Sequence, residues 1–68
     1  MKKKASEIKI GDTIKDDKFG WIKVLDVQTY PEIVHEMGFA NRVSFRWMDA
    51  DKNNNWIMFV NTSYVSIK

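Results

Sequence analysis

Arg42-Val43-Ser44-Phe45-Arg46-Trp47-Met48-Asp49, then Ala50-Asp51-Lys52-Asn53-Asn54, then Asn55-Trp56-Ile57-Met58-Phe59-Val60-Asn61 is the stretch that decides the fold. In its first arm Val43, Phe45 and Trp47 alternate with Ser44 and Arg46, the period of two that marks a strand with one buried face. The second arm is apolar on both sides, with Trp56, Met58 and Val60 on one and Ile57 and Phe59 on the other. Such a strand is covered twice or carries a binding surface on one face. The run of turn formers between the arms makes the pair a β-hairpin. In the register expected here Trp56, Met58 and Val60 oppose the Val43-Phe45-Trp47 face. Ile57 and Phe59 then point outward beside Arg46 and Met48, and an exposed apolar strip marks an interaction site. A slip of one residue exchanges the two sets.

After the hairpin, Asn61-Thr62-Ser63 reads as a turn of 3₁₀ type and Tyr64-Val65-Ser66-Ile67 as a last strand. Before it, Pro31 to Asn41 is a long connection. Pro31 and Gly38 bracket a helical turn or two, with Ile33 and Met37 on one side, while an extended arm pairing through Ile33-Val34-His35 is the alternative. Trp21 to Tyr30 is a β-prone stretch whose apolar phase changes at Val24-Leu25, which calls for a bulge or bend. Asp16 to Gly20 is a turn with Gly20 at the positive-φ position. Ala5 to Ile14 reads as a bent first strand, and Lys2-Lys3-Lys4 as a flexible, solvated start to a single domain spanning residues 1–68.

A chain of 68 residues buries only about 60% of the surface it exposes when unfolded, so the core is thin. There is no cysteine to staple it, and the three Trp, two Tyr and four Phe supply much of the buried area. No apolar run reaches the roughly 18 residues of a membrane span, and Met1 to Lys4 leads into polar Ala5-Ser6-Glu7. A soluble, cytoplasmic protein is the expectation. The net charge of +2 is too balanced to demand a polyanionic partner. Its distribution says more, because residues 1–18 and 42–68 are each basic while 19–41 are acidic. Any basic face must therefore be assembled from the two ends of the chain.

Phe59-Val60-Asn61-Thr62-Ser63-Tyr64-Val65-Ser66-Ile67, following a two-arm hairpin in a chain of five short strands, resembles the ending of an SH3-like small β-barrel. In SH3 domains an apolar residue and proline lead through a one-turn 3₁₀ helix into asparagine-tyrosine-valine. Here Val60 stands in place of the proline and Ser63 in place of the asparagine, while Tyr64-Val65 match. The alanine-leucine-tyrosine-aspartate-tyrosine motif is absent, and the Gly20-Trp21 turn comes too soon for the long first loop. Recognition of proline-rich peptides is therefore not implied. The layout of Ile10-Gly11-Asp12-Thr13-Ile14, glycine-aromatic turn, long strand and short final strand also looks like small bacterial and phage proteins with SH3-like barrels. The resemblance implies an all-β, five-stranded barrel, an architecture that hosts many functions.

Motifs for chemistry are sparse. Asp49-Ala50-Asp51-Lys52-Asn53 opens with the spacing of a calcium loop, but Asn54 replaces the turn glycine and Val60 the bidentate glutamate, so a polar hairpin tip explains it better. His35 is the single histidine, and with Glu32 and Glu36 alone it cannot close a zinc site. The serines have no evident general base, and a small barrel fills its own interior. No enzyme activity and no cofactor are expected. The reading favoured here is a small protein-binding module, of the kind with which a phage or mobile element binds or inhibits a host protein, or one that self-assembles. Its candidate contacts are Ile33, Val34, Met37, Phe39, Arg46, Met48, Ile57 and Phe59. The alternative is nucleic-acid binding through Lys3, Lys4, Lys18, Phe19, Arg42 and Arg46, with Lys2 and Trp21 beside them, since aromatics flanked by cations stack bases while the cations hold phosphates. A third reading is sequestration of a small anionic ligand.

Overall fold

A computed structural model describes residues 1–29 and 41–68. The expectations placed on residues 30–40, the helical or extended connection with Ile33, Val34, His35, Met37 and Phe39, lie outside the described residues. The strands are β1 (Lys2–Lys4), β2 (Thr13–Asp16), β3 (Gly20–Lys23), β4 (Asp26–Thr29), β5 (Arg42–Met48), β6 (Asn54–Val60) and β7 (Tyr64–Ser66), with one 3₁₀ turn at Ala5–Glu7. The fold is all-β. Every pairing is antiparallel, in three open sheets ordered β1-β7, β2-β3 and β4-β5-β6, none of which closes on itself among the described residues.

Backbone hydrogen bonds stitch these sheets together. An Ile14–Ile67 bridge and the Lys68 N–H donating to the Thr13 carbonyl (2.9 Å) set β7 beside β2. The Val24 N–H donates to Asp12 (2.8 Å) while the next N–H, that of Leu25, donates to Arg46 (2.8 Å). The chain thus changes partner strand between Val24 and Leu25. That exchange is the physical content of the phase change in the sequence, because it lets Ile22 and Val24 on one side of the break and Val27 on the other all face the same core. The core holds Ala5, Ile8, Ile14, Ile22, Val24, Val43, Phe45, Trp47 and Val65, with Val27, Ile57 and Phe59 packed against it.

Among the described residues seven short strands replace the expected five, for two reasons. The bend splits the long central stretch, and Lys2–Lys4 is recruited as a strand. Lys2, Lys3 and Lys4 pair with Ser66, Val65 and Tyr64, where the sequence alone placed no strand. A ladder is built from backbone groups and asks nothing apolar of its side chains, while fully buried Ala5 anchors the segment just beyond it. The bent strand expected over Ala5 to Ile14 is corrected. Ile8 is buried, but Ile10 stands exposed on a turn closed by the Asp12 N–H to Lys9 carbonyl bond (3.1 Å), with Gly11 at φ 97°. The turn at Asp16 to Gly20 forms as read, with Gly20 at φ 75° and the Asp16 carboxylate accepting from the N–H groups of Lys18 and Phe19, both 2.9 Å.

The hairpin forms in the register opposite to the one expected. Val43, Phe45 and Trp47 are buried, and they oppose Phe59, Ile57 and Asn55. Ile57 and Phe59 therefore pack inward, Phe59 with its ring 6.0 Å from that of Phe45. Trp56, Met58 and Val60 face out beside Arg46, Ser44 and Arg42. The tip decides this. Asp49 Oδ1 accepts from the N–H groups of Asp51 and Asn53 (both 2.9 Å), Asn55 Nδ2 reaches Asp49 Oδ2 (3.2 Å), and the Asp49 N–H donates to Asn53 (3.1 Å). A loop closed in this way sets Met48 against Asn54, and every pair below follows, since loop geometry fixes hairpin register.

Candidate functional site

The positions that alternate with the core residues on β1, β7, β2 and β3 share one outer face. On β2 and β3, Ile14 and Ile22 pair inward, so Thr13 with Lys23 and Lys15 with Trp21 pair outward. On β7, Val65 and the following Ile67 are buried, which turns Tyr64, Ser66 and Lys68 outward. Lys2 and Lys4 lie opposite Ser66 and Tyr64 on β1. The face thus gathers Lys2, Lys4, Lys15, Lys23 and Lys68, and none of its outward positions carries a carboxylate.

Trp21 sits among these cations, with 44% of its surface exposed. The Lys15 ammonium lies 5.9 Å and the Lys68 ammonium 5.2 Å from the centre of its ring. One comes from the cross-strand partner and the other from the segment after β7, so at Trp21 the β2-β3 sheet and the end of the chain share one surface. Tyr64, at 65% exposure, is a second ring on the same face. Along its border a shallow depression of about 210 Å³ is lined by Lys2, Lys15, Tyr64 and Ser66 but also by Asp16 and Asp17. Those carboxylates oppose a small anion settling in this depression.

A second surface, the outer side of β4-β5-β6, has a different character. Trp56, Met58, Val60 and Met48 are exposed on it. A depression of about 280 Å³ is lined by Gln28, Ser44, Trp56, Ile57 and Met58. Arg46 is engaged at its edge, with Nη1 donating to Asn54 Oδ1 (3.0 Å) and Nε 4.0 Å from Asp26.

The residues expected to bind nucleic acid do not meet at one place. Lys4 lies on the basic face, while half-buried Lys3 points to the other side of β1. Lys18 lies over the Phe19 ring (5.3 Å) at the β2–β3 turn, and that ring also packs at a tilt against Trp47, 4.7 Å between centres. Arg42 and Arg46 belong to the β4-β5-β6 surface. Of the expected protein contacts, Arg46 and Met48 face outward, whereas Ile57 and Phe59 do not. Missed from the sequence were Lys15, Lys23, Tyr64 and Lys68. Their alternation with apolar residues was legible, but the adjacency of their strands was not.

At the hairpin tip the Asn53 N–H holds the Asp49 carboxyl below its ordinary value, with the Asn55 amide and the Asp51 N–H acting the same way against a smaller desolvation effect. Both Asp49 oxygens are thereby committed to the loop, which accounts for the calcium-like spacing without a cation. Among the described residues, no group of three or more His, Cys, Asp or Glu is placed to hold a metal ion, and no helix is long and apolar enough to cross a membrane. No family model, no curated protein and no solved structure matches the chain.

Proposed function

We propose that this protein is a binding module, not an enzyme, and that the face of β1, β7, β2 and β3 binds nucleic acid. The observation that carries the reading is the gathering of Lys2, Lys4, Lys15, Lys23 and Lys68 on one face, with Lys15 and Lys68 at Trp21 and the carboxylates of Asp16 and Asp17 confined to one border, in a chain whose net charge is only +2. Segregation of that kind focuses a field that the overall charge hides. Clustered lysines neutralise phosphates and release their counterions, so affinity must fall with salt. If three to five lysines engage a single strand, the logarithm of the affinity falls against the logarithm of salt with a slope of about −2 to −3.5. Fluorescence anisotropy with a labelled oligonucleotide over a salt series measures it. Lys2→Ala with Lys4→Ala should make the slope shallower by about 1.4. No binding at low salt, or a slope indifferent to these lysines, refutes the reading.

The protein-binding reading moves to different residues. Trp56, Met58, Val60 and Met48 stand exposed together, and apolar strips of this kind serve protein association. Sedimentation over a range of concentrations tests its self-assembly form. A mass that stays monomeric, unchanged by Trp56→Thr with Met58→Thr, opposes it. For the architecture, the bonds joining β7 to β2 and Leu25 to Arg46 support an SH3-like barrel that is only partly closed. The Ser63 N–H to Val60 carbonyl turn (3.0 Å) leading into β7 supports it too.

A further inference from the structure

We infer that the nucleic acid this face takes is single-stranded, with an unpaired base stacked on Trp21 and the neighbouring phosphates held by Lys15 and Lys68; the inference rests on reading the lysine face as a nucleic-acid site. A duplex keeps its bases stacked and offers a flat face little besides phosphates, for which lysines alone suffice. Here a large ring is placed at the centre of the lysines and left 44% exposed. Exposed aromatics between cations are the arrangement that holds unpaired bases, because every base has a face to stack and the cations then track the backbone. The ammonium groups of Lys15 and Lys68, at 5.9 and 5.2 Å from the ring centre, are within a side-chain rotation of phosphates on either side of a stacked base.

Tyr64 extends the platform. The Ile14–Ile67 bridge sets Lys15 beside Ser66, so Tyr64 lies two strands across and two residues along from Trp21. At about 4.8 Å per strand and 3.4 Å per residue that is roughly 12 Å between Cα atoms. The separation is too long for both rings to hold one base and suits a second base about three stacked steps further along. Asp16 and Asp17 border this end, so the phosphates run past Tyr64 on its Lys2 and Lys4 side.

The test uses the whole chain carrying Trp56→Phe, which leaves Trp21 as the exposed tryptophan while Trp47 stays buried. The probes are oligothymidylate of about 12 nucleotides, a duplex of the same length, and inorganic polyphosphate. The strand should bind about tenfold tighter than the duplex and quench the Trp21 emission, which polyphosphate should leave unchanged. Trp21→Ala should weaken the strand about tenfold, Trp21→Tyr should restore most of the loss, and polyphosphate affinity should stay within about twofold throughout. A melting curve on each variant separates loss of stacking from loss of fold. Equal affinity for strand and duplex, or indifference to Trp21→Ala, overturns the single-strand inference and leaves the lysine face standing. Absence of salt-dependent binding to all three probes removes the nucleic-acid reading as well.

Discussion

Truncating Trp47 tests the core and the hairpin register together. The residue is 6% exposed, its ring tilted by 50° against that of Phe19 at 4.7 Å, and it is buried with Val43 and Phe45. Removing a buried Trp costs about 3–5 kcal/mol. A chain of 68 residues has about 3–10 kcal/mol in all. Trp47→Ala should therefore lower Tm by at least about 12 °C, or leave the protein unfolded at 25 °C. Trp47→Phe should behave quite differently. Among the described residues the buried indole N–H has no acceptor, and an unpaired buried donor costs about 1–3 kcal/mol. Phenylalanine removes that donor while giving up a comparable amount of burial and packing, about 1–3 kcal/mol. The two changes offset each other, so its Tm should stay within about 8 °C of the parent. Urea denaturation followed by far-ultraviolet circular dichroism gives the free energies. A Trp47→Ala protein that melts like the parent would put Trp47 at the surface. Equal damage from Phe and Ala would mean that the N–H is satisfied in solution and that the offset argued here does not exist.

Reversing polarity on the two faces of β6 should separate them cleanly. Ile57→Thr with Phe59→Thr should cost several kcal/mol, about 2–5 for the pair, whereas Trp56→Thr with Met58→Thr should change stability by less than about 1 kcal/mol; equal losses would place both faces in the core. Gly20 has φ 75° with open space where a Cβ would stand, so Gly20→Ala should cost roughly 1–2 kcal/mol from backbone strain alone and Gly20→Asn less, as read from chemical denaturation. Asp49 gives a pH signature. Its carboxyl is held below its ordinary value, so it favours the folded state above that value and loses this effect as pH falls through the folded value. The Tm advantage of the parent over Asp49→Asn should be full at about pH 6 and gone by about pH 2; an advantage that persists in acid would show that the loop does not depend on the charge.

Local pattern carried much of this protein in readable form. Alternation fixed Val43, Phe45 and Trp47 as one buried face, the Val24-Leu25 phase change announced a bend, and Gly20 announced a left-handed turn; each depends on residues within a few positions of one another. The register of β6 was not readable, because both its faces are apolar. The choice fell to the Asp49 carboxylate and the loop it gathers. Strand β1 was hidden for a related reason, since a run of lysines pairs through its backbone without any signal in its side chains. The sequence also stated that a basic face would need both ends of the chain, though not which lysines would form it. Only the tertiary structure decided that, by laying β7 between β1 and β2 so that Lys2 and Lys68, from the two ends of the chain, came onto one surface with the Lys15–Trp21 pair. Alternation tells each residue which side of its own strand it occupies, but a shared surface depends on which strands are neighbours, and that is settled by hydrogen bonds between segments that carry no mark of one another.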